Sequence, residues 1–520
     1  MSWLNMGEML QVNARKFPDK IALKDPSRTL TFEGLDLRTN RLANALLDLG
    51  LKKQDRFAAL CHNHIEYMEI YIAAAKAGLV VVPISFRLVG KEIVYILDNS
   101  ESKVYILDER YVPTTREFRP KTSPAFRNKL PEMNHIVIGE EEHSDYLNFE
   151  NLISEADDSP PEVVVKSKDT WIQLYTSGTT GIPKGVVRSH RSYISFFLIN
   201  EVEFGFRYDD YGLVLMPLFH VNSTFYSFVF TYIGASCYIH RSINFDAEEL
   251  LQIINREKIT FTSLIPTHYH LILTLPEDVK QKYDVNSIKQ LLCSSAPATQ
   301  QMKLDVMEFF PNAELFEAYG STEAGLVTIL RPEDQMNKLG SIGRECVGTD
   351  IIKLLDDQGN PVPVGEVGEL YSRGPMMFDY YWKLPEKTSS SFIGEWFSAG
   401  DMAKIDEEGY YTLVDRKDNM IITGGEHVYP SEVEELLCMH SDVFEAAVIG
   451  VQHPKWGESV KAILIPKPDK SPAAEEIISW CRGKIAGFKR PKEIIFINRE
   501  DMPRTASGKI LHKVLRERYS

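Results

Sequence analysis

The sequence lacks several features that would assign a protein class at once. Only six cysteines occur in 520 residues, far apart and without a CxxC pair, which predicts reduced thiols rather than disulfides or a metal cluster. The N-terminus has no secretion-type hydrophobic core. Lysine and arginine number 58 against 73 acidic residues, and a net charge of −15 disfavours nucleic acid or an anionic membrane as the main partner. We expect a soluble, cytoplasmic protein.

No apolar run is long enough to span a bilayer. The most apolar segment, residues 225–239, predicts a buried helix that continues into a strand. Apolar residues make up 44% of the chain and charged residues 25%, as in globular proteins. The length of the chain predicts two or more domains.

Helical and strand patterns alternate along the first part of the chain, which predicts layered sheets covered by helices. Helices are expected at residues 31–49, 66–77 and 91–99, and strands at 56–63, 79–85 and 103–108. Residues 109–170 are polar and proline-rich, which predicts surface connections. Short strands between turns at residues 340–415 predict a β-rich subdomain.

The C-terminal part of the chain has a compact α+β pattern. Ser431 and Glu434 have the spacing of a capping box, which predicts that they open a helix after Pro430. Strands are expected at residues 444–451, 459–466 and 493–498. We therefore predict two domains, residues 1–417 and residues 418–520.

The loop YTSGTTGIPKGV, residues 175–186, has the composition of a phosphate-binding loop. Glycines allow backbone N–H groups to converge on an anion, hydroxyls add donors, and Lys184 adds positive charge. The loop is not a Walker loop, because Pro183 stands five residues after Gly178 and Lys184 is followed by Gly185. Taken alone, the pattern also fits a plain glycine-rich turn.

Two further segments carry hydroxyls and carboxylates. FEAYGSTEAG, residues 316–325, offers Ser321 and Thr322 to a phosphate and Glu323 to Mg²⁺, although it also fits a helix N-cap. EWFSAGD ends in Asp401, which suits the two hydroxyls of a ribose and equally an ordinary turn.

Two more segments lie near the C-terminus. DRKDNMIITGGEHVYPSEVE places Arg416 and the pair Gly424–Gly425 around an apolar strand. MPRTASGKI places Lys509 on a Ser-Gly loop, where a lone lysine would ordinarily be a solvated charge.

These motifs, in this order and with the N-terminal segments TFEGLDLRTNRLANAL and AAAKAGLVVVPIS, resemble the ANL superfamily of adenylate-forming enzymes along essentially the whole chain. The superfamily contains acyl-CoA synthetases, nonribosomal-peptide adenylation domains and firefly-type luciferases. The resemblance implies an α/β fold with a large N-terminal domain of layered β/α subdomains plus a β-rich subdomain, and a small mobile α+β C-terminal domain. It also implies ATP, Mg²⁺ and coenzyme A as cofactor and co-substrates.

In this family a carboxylic acid attacks the α-phosphorus of ATP, and a thiol then displaces AMP from the acyl-AMP. The resemblance implies roles for individual residues. The clamp for the β- and γ-phosphates would be Thr176, Ser177, Gly178, Thr179, Thr180, Gly181 and Lys184. The adenine would be flanked by Glu317, Ala318 and Tyr319, with Tyr319 stacking on it, and Gly320 would also belong to the cofactor-binding site. Thr322 would contact the α-phosphate, Glu323 would bind Mg²⁺, and Asp401 and Arg416 would bind the ribose.

The same resemblance implies a switch between the two half-reactions. Lys509 would bridge the carboxylate and the α-phosphate, and rotation about a hinge at Asp418 would replace it with Gly424–Gly425 at a thiol tunnel. His220, in MPLFHVNS, would gate that tunnel; without the resemblance it fits a histidine at the edge of the core.

Three segments depart from the usual family pattern: Ser294–Ser295, Phe488–Pro491, which has Phe in place of the usual Tyr, and Ser398–Ala399, where many relatives have His-Thr. Ser294 and Ser295 replace the paired glycines usual before Ala296-Pro297, so the binding roles at that position stay open.

These features predict an ATP-dependent carboxylate–CoA ligase acting on a fatty acid or similar aliphatic acid. The alternatives are a crotonobetaine/carnitine or aromatic-acid CoA ligase, an enzyme that loads a carrier protein, and a non-catalytic nucleotide-binding scaffold. Glu323 and Lys509 together argue against the scaffold. The expected partners are an acid, ATP and CoA, and dimers are common among relatives.

Reciprocal substitutions test the two implied roles. Lys509→Ala should abolish acyl-AMP formation and leave thioester formation from supplied acyl-AMP largely intact, because the ammonium serves only the first step. Gly425→Leu should impair the thioester step instead. Separate assays of pyrophosphate release and of acyl-CoA from synthetic acyl-AMP measure both, and equal losses of the two steps in either variant would contradict the assignment.

Overall fold

The structure is a computed structural model of the chain, and it describes residues 5–118, 134–176, 183–241, 244–294, 298–504 and 510–520. The chain divides into two compact units. The larger extends as far as Ile351 and includes Arg373–Glu395, and the smaller contains Ile352–Ser372 and Trp396–Ser520. The domain boundary at residue 418 stays a prediction.

One sheet of the larger unit has a parallel centre. Its described strands, in spatial order, are Arg344–Glu345, Gly325–Leu330, Glu314–Ser321, Gln290–Ser294, Phe261–Leu264, Tyr211–Val214, Ser236–Ile239, Ile21–Lys24 and Thr29–Thr31. Strands from Glu314–Ser321 through Ile21–Lys24 pair in parallel, and pairing beyond them is antiparallel. A parallel sheet is covered on both faces, which explains the near-continuous apolar strand sequences.

The other sheet of the larger unit has the same character. Its described strands, in spatial order, are Tyr380–Tyr381, Lys184–Ser189, Thr170–Thr176, Val80–Pro83, Arg56–Leu60, Val104–Asp108, Asn134–Ile138 and Leu147–Asn148. Pairing is parallel from Thr170–Thr176 onwards. The last two strands show that the prediction of mere surface connections for residues 109–170 was wrong. Ile136 and Val137 are buried there, but so short an apolar run gives no clear period.

Helices connect these strands. The described helices of the larger unit are Met6–Lys16, Phe32–Asp48, Ile65–Ala77, Gly90–Ser100, Val112–Phe118, Phe149–Glu155, His190–Phe204, Val221–Ile233, Ala247–Glu257, Pro266–Leu273, Glu277–Lys280, Gln300–Phe309 and Pro385–Ser390. The three helices predicted from the first hundred residues are confirmed, as is the helix-to-strand passage at Val221–Ile233 and Ser236–Ile239. Within the described ranges, none of the helices combines the length and apolar character needed to cross a bilayer.

The smaller unit contains two sheets among its described residues. An antiparallel sheet joins Lys353–Leu355, Gly368–Tyr371, Asp401–Ile405 and Tyr411–Arg416. A mixed sheet joins Glu426–Val428, Ile421–Thr423, Gly457–Pro466, Val443–His453 and Glu493–Phe496, with helices Pro430–Cys438, Ala474–Trp480 and His512–Tyr519. The predicted β-rich subdomain and α+β tail are confirmed.

The capping box predicted at Ser431 and Glu434 was wrong. Helix Pro430–Cys438 begins after Tyr429 without a side-chain cap. The Ser431 hydroxyl donates to the carbonyl of Val414, and Glu434 Oε1 accepts from the Val448 N–H and from His512 Nε2, both at 2.7 Å. Distant partners therefore use the groups that local spacing assigned to the cap.

Candidate active site

The two ends of the predicted phosphate loop lie side by side. Thr176 ends one strand, Lys184 begins its antiparallel neighbour, and the two residues are direct Cα partners. The loop residues assigned from the sequence to the clamp, Ser177, Gly178, Thr179, Thr180 and Gly181, lie outside the described residues. The strand pair alone thus brings a hydroxyl and an ammonium group to one edge of the sheet.

Tyr381 connects this strand pair to Glu323, whose carboxylate is predicted to bind Mg²⁺. The Lys184 ammonium lies 4.5 Å from the centroid of the Tyr381 ring, a cation–π contact. The Tyr381 hydroxyl donates to Glu323 Oε1 at 2.8 Å, and both side chains are buried. Tyr381 was not identifiable from the sequence, because its edge strand of two residues has no periodic signal and lies far along the chain from both partners.

The segment from Gly320 to Gly325 turns tightly. A Cβ at Gly320 would lie 2.1 Å from the Gly325 carbonyl oxygen, so no other residue fits there. The Arg188 guanidinium holds this turn in place: its Nη1 donates to the Thr322 carbonyl at 2.6 Å and its Nη2 to the Met376 carbonyl. Burial lowers the pKa of this fully buried guanidinium. Arg188 is a second residue that sequence analysis missed.

The residues assigned to the adenine lie on strand Glu314–Ser321, with a bulge between Tyr319 and Gly320. Ala318 pairs with Ser294 of the neighbouring parallel strand. Glu317 forms an ion pair with Lys303 at 2.8 Å, and the lysine side chain is only 1% exposed. Burial raises the pKa of Glu317, and Lys303 opposes that rise. This pair anchors the strand to helix Gln300–Phe309.

His220 stands at the N-cap of helix Val221–Ile233, and its Nδ1 accepts from the Asn222 N–H at 3.4 Å. The loop before it is anchored by Asn63, which donates to the Met216 carbonyl at 2.9 Å and accepts from the Leu218 N–H at 2.8 Å. This two-way contact fixes the backbone that presents His220. Asn63 was not identified from the sequence.

Cys61 belongs to a buried polar cluster that the sequence analysis did not single out. The ligand-type atoms of Cys61, His64 and Asp108 lie within 4.8 Å of one another. His64 already uses Nε2 in a bond of 2.7 Å to Asp108 and Nδ1 to cap helix Ile65–Ala77 at the Tyr67 N–H. Burial raises the pKa of the Cys61 thiol to about 12. The cluster therefore ties a helix start to two strand ends.

In the smaller unit, the two residues predicted to bind ribose lie together. Asp401 and Arg416 are Cα partners in adjacent antiparallel strands, and Arg416 Nε lies 2.6 Å from Asp401 Oδ1. Arg416 also donates to the Ala399 carbonyl at 3.2 Å, and Asp401 is buried. The pairing presents one carboxylate and one guanidinium at the same strand ends.

The predicted hinge and tunnel residues are also in the smaller unit. Asp418 lies in the 3₁₀ turn Lys417–Asn419, and its carbonyl accepts from Arg516 at 2.8 Å. Gly424 and Gly425 have φ values of 62° and 87° and join strands Ile421–Thr423 and Glu426–Val428. Such a turn favours glycine. Lys509 lies outside the described residues.

Comparison with known proteins identifies the family. A family model described as AMP-binding enzyme matches residues 10–382, and one described as AMP-binding enzyme C-terminal domain matches residues 432–509. The chain belongs to the AMP-binding enzyme family. It is an ANL-superfamily acyl-CoA synthetase, which confirms the superfamily predicted from the motifs.

Individual relatives are similar in sequence to this chain over nearly the whole length of both proteins. Feruloyl-CoA synthase from Amycolatopsis sp is 33% identical over 509 residues, 97% of each chain. Long-chain-fatty-acid–CoA ligase FadD13 from Mycobacterium tuberculosis is 34% identical over 520 residues, 99% of each chain. The crystal structure of the anthranilate CoA ligase AuaEII in complex with anthranoyl-AMP has a TM-score of 0.87 at 29% identity, covering 100% of this chain and 97% of that one. This acyl-CoA synthetase is thus an ATP-binding, AMP-forming acid–thiol ligase.

Removing Lys303 should reveal how much free energy the burial of the Glu317 carboxylate costs when its ion pair is lost. Lys303→Met should lower the free energy of unfolding by about 3 kcal/mol at pH 8, because Glu317 loses its counter-charge. A raised folded-state pKa means that stability falls as pH rises through the titration of Glu317, and losing Lys303 raises that pKa further. Denaturant unfolding should therefore show a smaller loss at pH 5 than at pH 8.

Lys103→Met is the matched control, because Lys103 lies 2.7 Å from Asp55 but is 55% exposed. It should cost less than about 1 kcal/mol at either pH. Equal, pH-independent losses in the two variants would contradict the buried-pair account.

Proposed function

We propose that this acyl-CoA synthetase activates a compact acid with a largely apolar chain, a fatty acid of short to medium length or a similar aliphatic acid. The observation that supports this is a cavity between helix Val221–Ile233 and the strands of the first sheet. Its apolar lining includes Leu213, Met216, Tyr226, Phe230 and Phe261. Its volume is about 10 Å³, the space of a single water, so side chains must move to admit an acid.

The packing of Phe230, which lines the cavity, supports a short substrate. A Cβ at Gly212 would lie 2.8 Å from the Phe230 ring, so this ring fills the space that a longer side chain would occupy. Phe230 also packs on Phe261, with ring centroids 5.5 Å apart. A long acyl chain would have to displace both rings from a packed interior, which is costly.

An aromatic acid is the second candidate. The cavity is bordered by the rings of Tyr226, Phe230 and Phe261, which favour a flat ring in edge or stacked contact. Two relatives, feruloyl-CoA synthase and anthranilate CoA ligase, are named for aromatic acids. A crotonobetaine- or carnitine-like acid is disfavoured, because the cavity lining contains no acidic side chain among the described residues to balance its cationic ammonium.

Charge neutralisation is the central requirement of the first half-reaction, because a carboxylate must approach a triphosphate. Lys184, Thr176 and the loop between them would bind the β- and γ-phosphates, and Thr322 the α-phosphate. Lys509 would bridge the α-phosphate and the incoming carboxylate. Asp401 and Arg416 would bind the ribose, and the strand from Glu317 to Gly320 the adenine.

Glu323 fits a magnesium ligand. Mg²⁺ prefers carboxylate oxygens, and of the two carboxylate oxygens of Glu323 only Oε1 accepts a hydrogen bond from the described residues, which leaves Oε2 for the metal. Bound Mg²⁺ would neutralise phosphate charge. Tyr381 keeps the carboxylate in one orientation and separates it from the Lys184 ammonium.

The second half-reaction would use coenzyme A. His220 would gate the thiol route, Gly424 and Gly425 would leave room for the narrow pantetheine arm, and Asp418 would be the hinge. A carrier protein in place of CoA is the alternative acceptor.

Gly409 has φ 85°, close to that of Gly425, so Gly409→Leu is the control for backbone strain in Gly425→Leu. The cytoplasmic location and a homodimer stay predictions.

The contact between Tyr381 and Glu323 predicts a specific defect. Tyr381→Phe should lower kcat/KM for MgATP in acyl-AMP formation by roughly tenfold or more, because a hydrogen bond to a charged group is lost. The Mg²⁺ concentration for half-maximal rate should rise. Tyr380→Phe is the matched control, since Tyr380 is the neighbouring residue and is 39% exposed. Equal behaviour of the two variants would remove Tyr381 from the site.

A panel of acids tests the proposed substrate class. Pyrophosphate release should be measured with butyrate, octanoate, palmitate, benzoate, cinnamate and carnitine, each with and without CoA. The highest kcat/KM should fall on octanoate or a shorter acid, or on an aromatic acid if the second candidate is correct. A clear preference for palmitate would reject the compact pocket, and turnover that requires a pantetheinylated carrier protein would reject CoA as the acceptor.

A further inference from the structure

Three polar side chains meet beside the proposed acid pocket, at the carboxyl ends of two parallel strands, and two of them, Asn222 and Ser263, line the cavity. Asn222 Nδ2 lies 3.1 Å from Ser263 Oγ and 3.0 Å from Ser294 Oγ, and the two hydroxyls are 3.4 Å apart. Ser263 and Ser294 are buried. We call these three residues the polar triad. Carboxyl ends of parallel strands are where open α/β sheets bind ligands.

A count of protons shows that the polar triad has hydrogen-bonding capacity left over. The amide has two N–H protons and each hydroxyl has one, whereas only three contacts join the side chains. At least one donor therefore lacks an acceptor within the triad, whichever way the amide is turned. No further hydrogen bond links these side chains to the rest of the described residues. In either orientation of the Asn222 amide, one of its two terminal atoms makes no contact within the triad. This atom is the oxygen acceptor in one orientation and the NH₂ donor in the other.

The surroundings limit the group that the polar triad can bind. Asn222 and Ser263 line the cavity together with the rings of Tyr226, Phe230 and Phe261. Among the described residues, no charged side chain lines this cavity, so a cationic or anionic substituent would lose its hydration without compensation. A plain hydrocarbon would leave the triad's spare donor unpaired, which is also unfavourable. A neutral group that both accepts and donates fits best, and a hydroxyl does both.

We propose that Asn222, Ser263 and Ser294 determine substrate specificity by binding a neutral hydroxyl group on the acid, so that the enzyme prefers hydroxy-acids to the corresponding plain acids. This inference rests on the proposed function, since it concerns the same acid pocket. It narrows the substrate class from compact acids in general to hydroxylated ones. The serine at position 294, where the family usually has glycine, then has a chemical role.

Matched pairs of acids test the inference in the wild-type enzyme. Pyrophosphate release with CoA should be compared for 4-hydroxybenzoate and benzoate, 4-hydroxycinnamate and cinnamate, and 8-hydroxyoctanoate and octanoate. We expect the hydroxylated acid to have at least a tenfold higher kcat/KM in one or more pairs, because a site built to bind a hydroxyl discriminates against the analogue that lacks it.

Substitutions then locate the source of that preference. Ser263→Ala, Ser294→Ala and Asn222→Leu should each reduce the ratio of kcat/KM within the preferred pair by roughly fivefold or more, mainly through the hydroxylated acid. Ser227→Ala is the control for a lost cavity hydroxyl, because Ser227 Oγ already donates to the Ser223 carbonyl at 2.6 Å. It should leave the ratio unchanged.

The outcomes separate this inference from the function on which it rests. Turnover of plain acids without preference for any hydroxylated partner would overturn the inference and leave the ligase function standing. A preference that persists in all three triad variants would also overturn it. Absence of turnover with every acid would reject the proposed function, and the inference with it. Use of three independent variants means that misfolding of one leaves the test intact.

Discussion

The parallel pairing of strands is the constraint on which the larger unit depends. Parallel neighbours cannot be joined by a tight turn, so crossovers connect them and their carboxyl ends lie at the same edge of their sheet. Thr176, Ser263, Ser294 and Ser321 each stand at or next to such an end. Within each of the two sheets, groups distant in sequence are thereby brought to one edge without any special local structure.

Buried polar and charged groups stabilise the segments near these strand ends. Arg188 is fully buried and has no carboxylate partner within hydrogen-bonding distance among the described residues, but it donates to two backbone carbonyls. Lys303 and Glu317 pair behind the adjoining strand, and Tyr381 donates to Glu323. Each contact satisfies a group whose unpaired burial would cost several kcal/mol. The same contacts restrict the positions of the Thr322 backbone and of the Glu323 carboxylate, which suits a site that acts through fixed charges.

Reaction class and substrate choice have different structural origins in this enzyme. The adenylating motifs are spread over both units and follow the family order, which is why relatives with different acids resemble the chain over its whole length. The proposed acid pocket is formed by one helix and a few strand ends, where single side chains would change its shape and polarity. Function is thus carried by local sites on a shared fold. The proposed roles of Asn222 and Ser294 would illustrate this, since neither residue belongs to a predicted phosphate-binding motif.

The sequence by itself determined the order of the motifs, the main helices and strands of the first hundred residues, and the superfamily. These properties depend on the spacing of residues that are close together in the chain, and this spacing can be read directly from the sequence. Tertiary structure alone decided that Tyr381 joins Lys184 to Glu323, that Arg188 supports Thr322, and that Ser431 and Glu434 have distant partners instead of a cap. Such contacts join residues far apart in the chain, and no periodicity records them. Short strands such as Asn134–Ile138 were missed for the related reason that neighbouring strands, not local pattern, stabilise them.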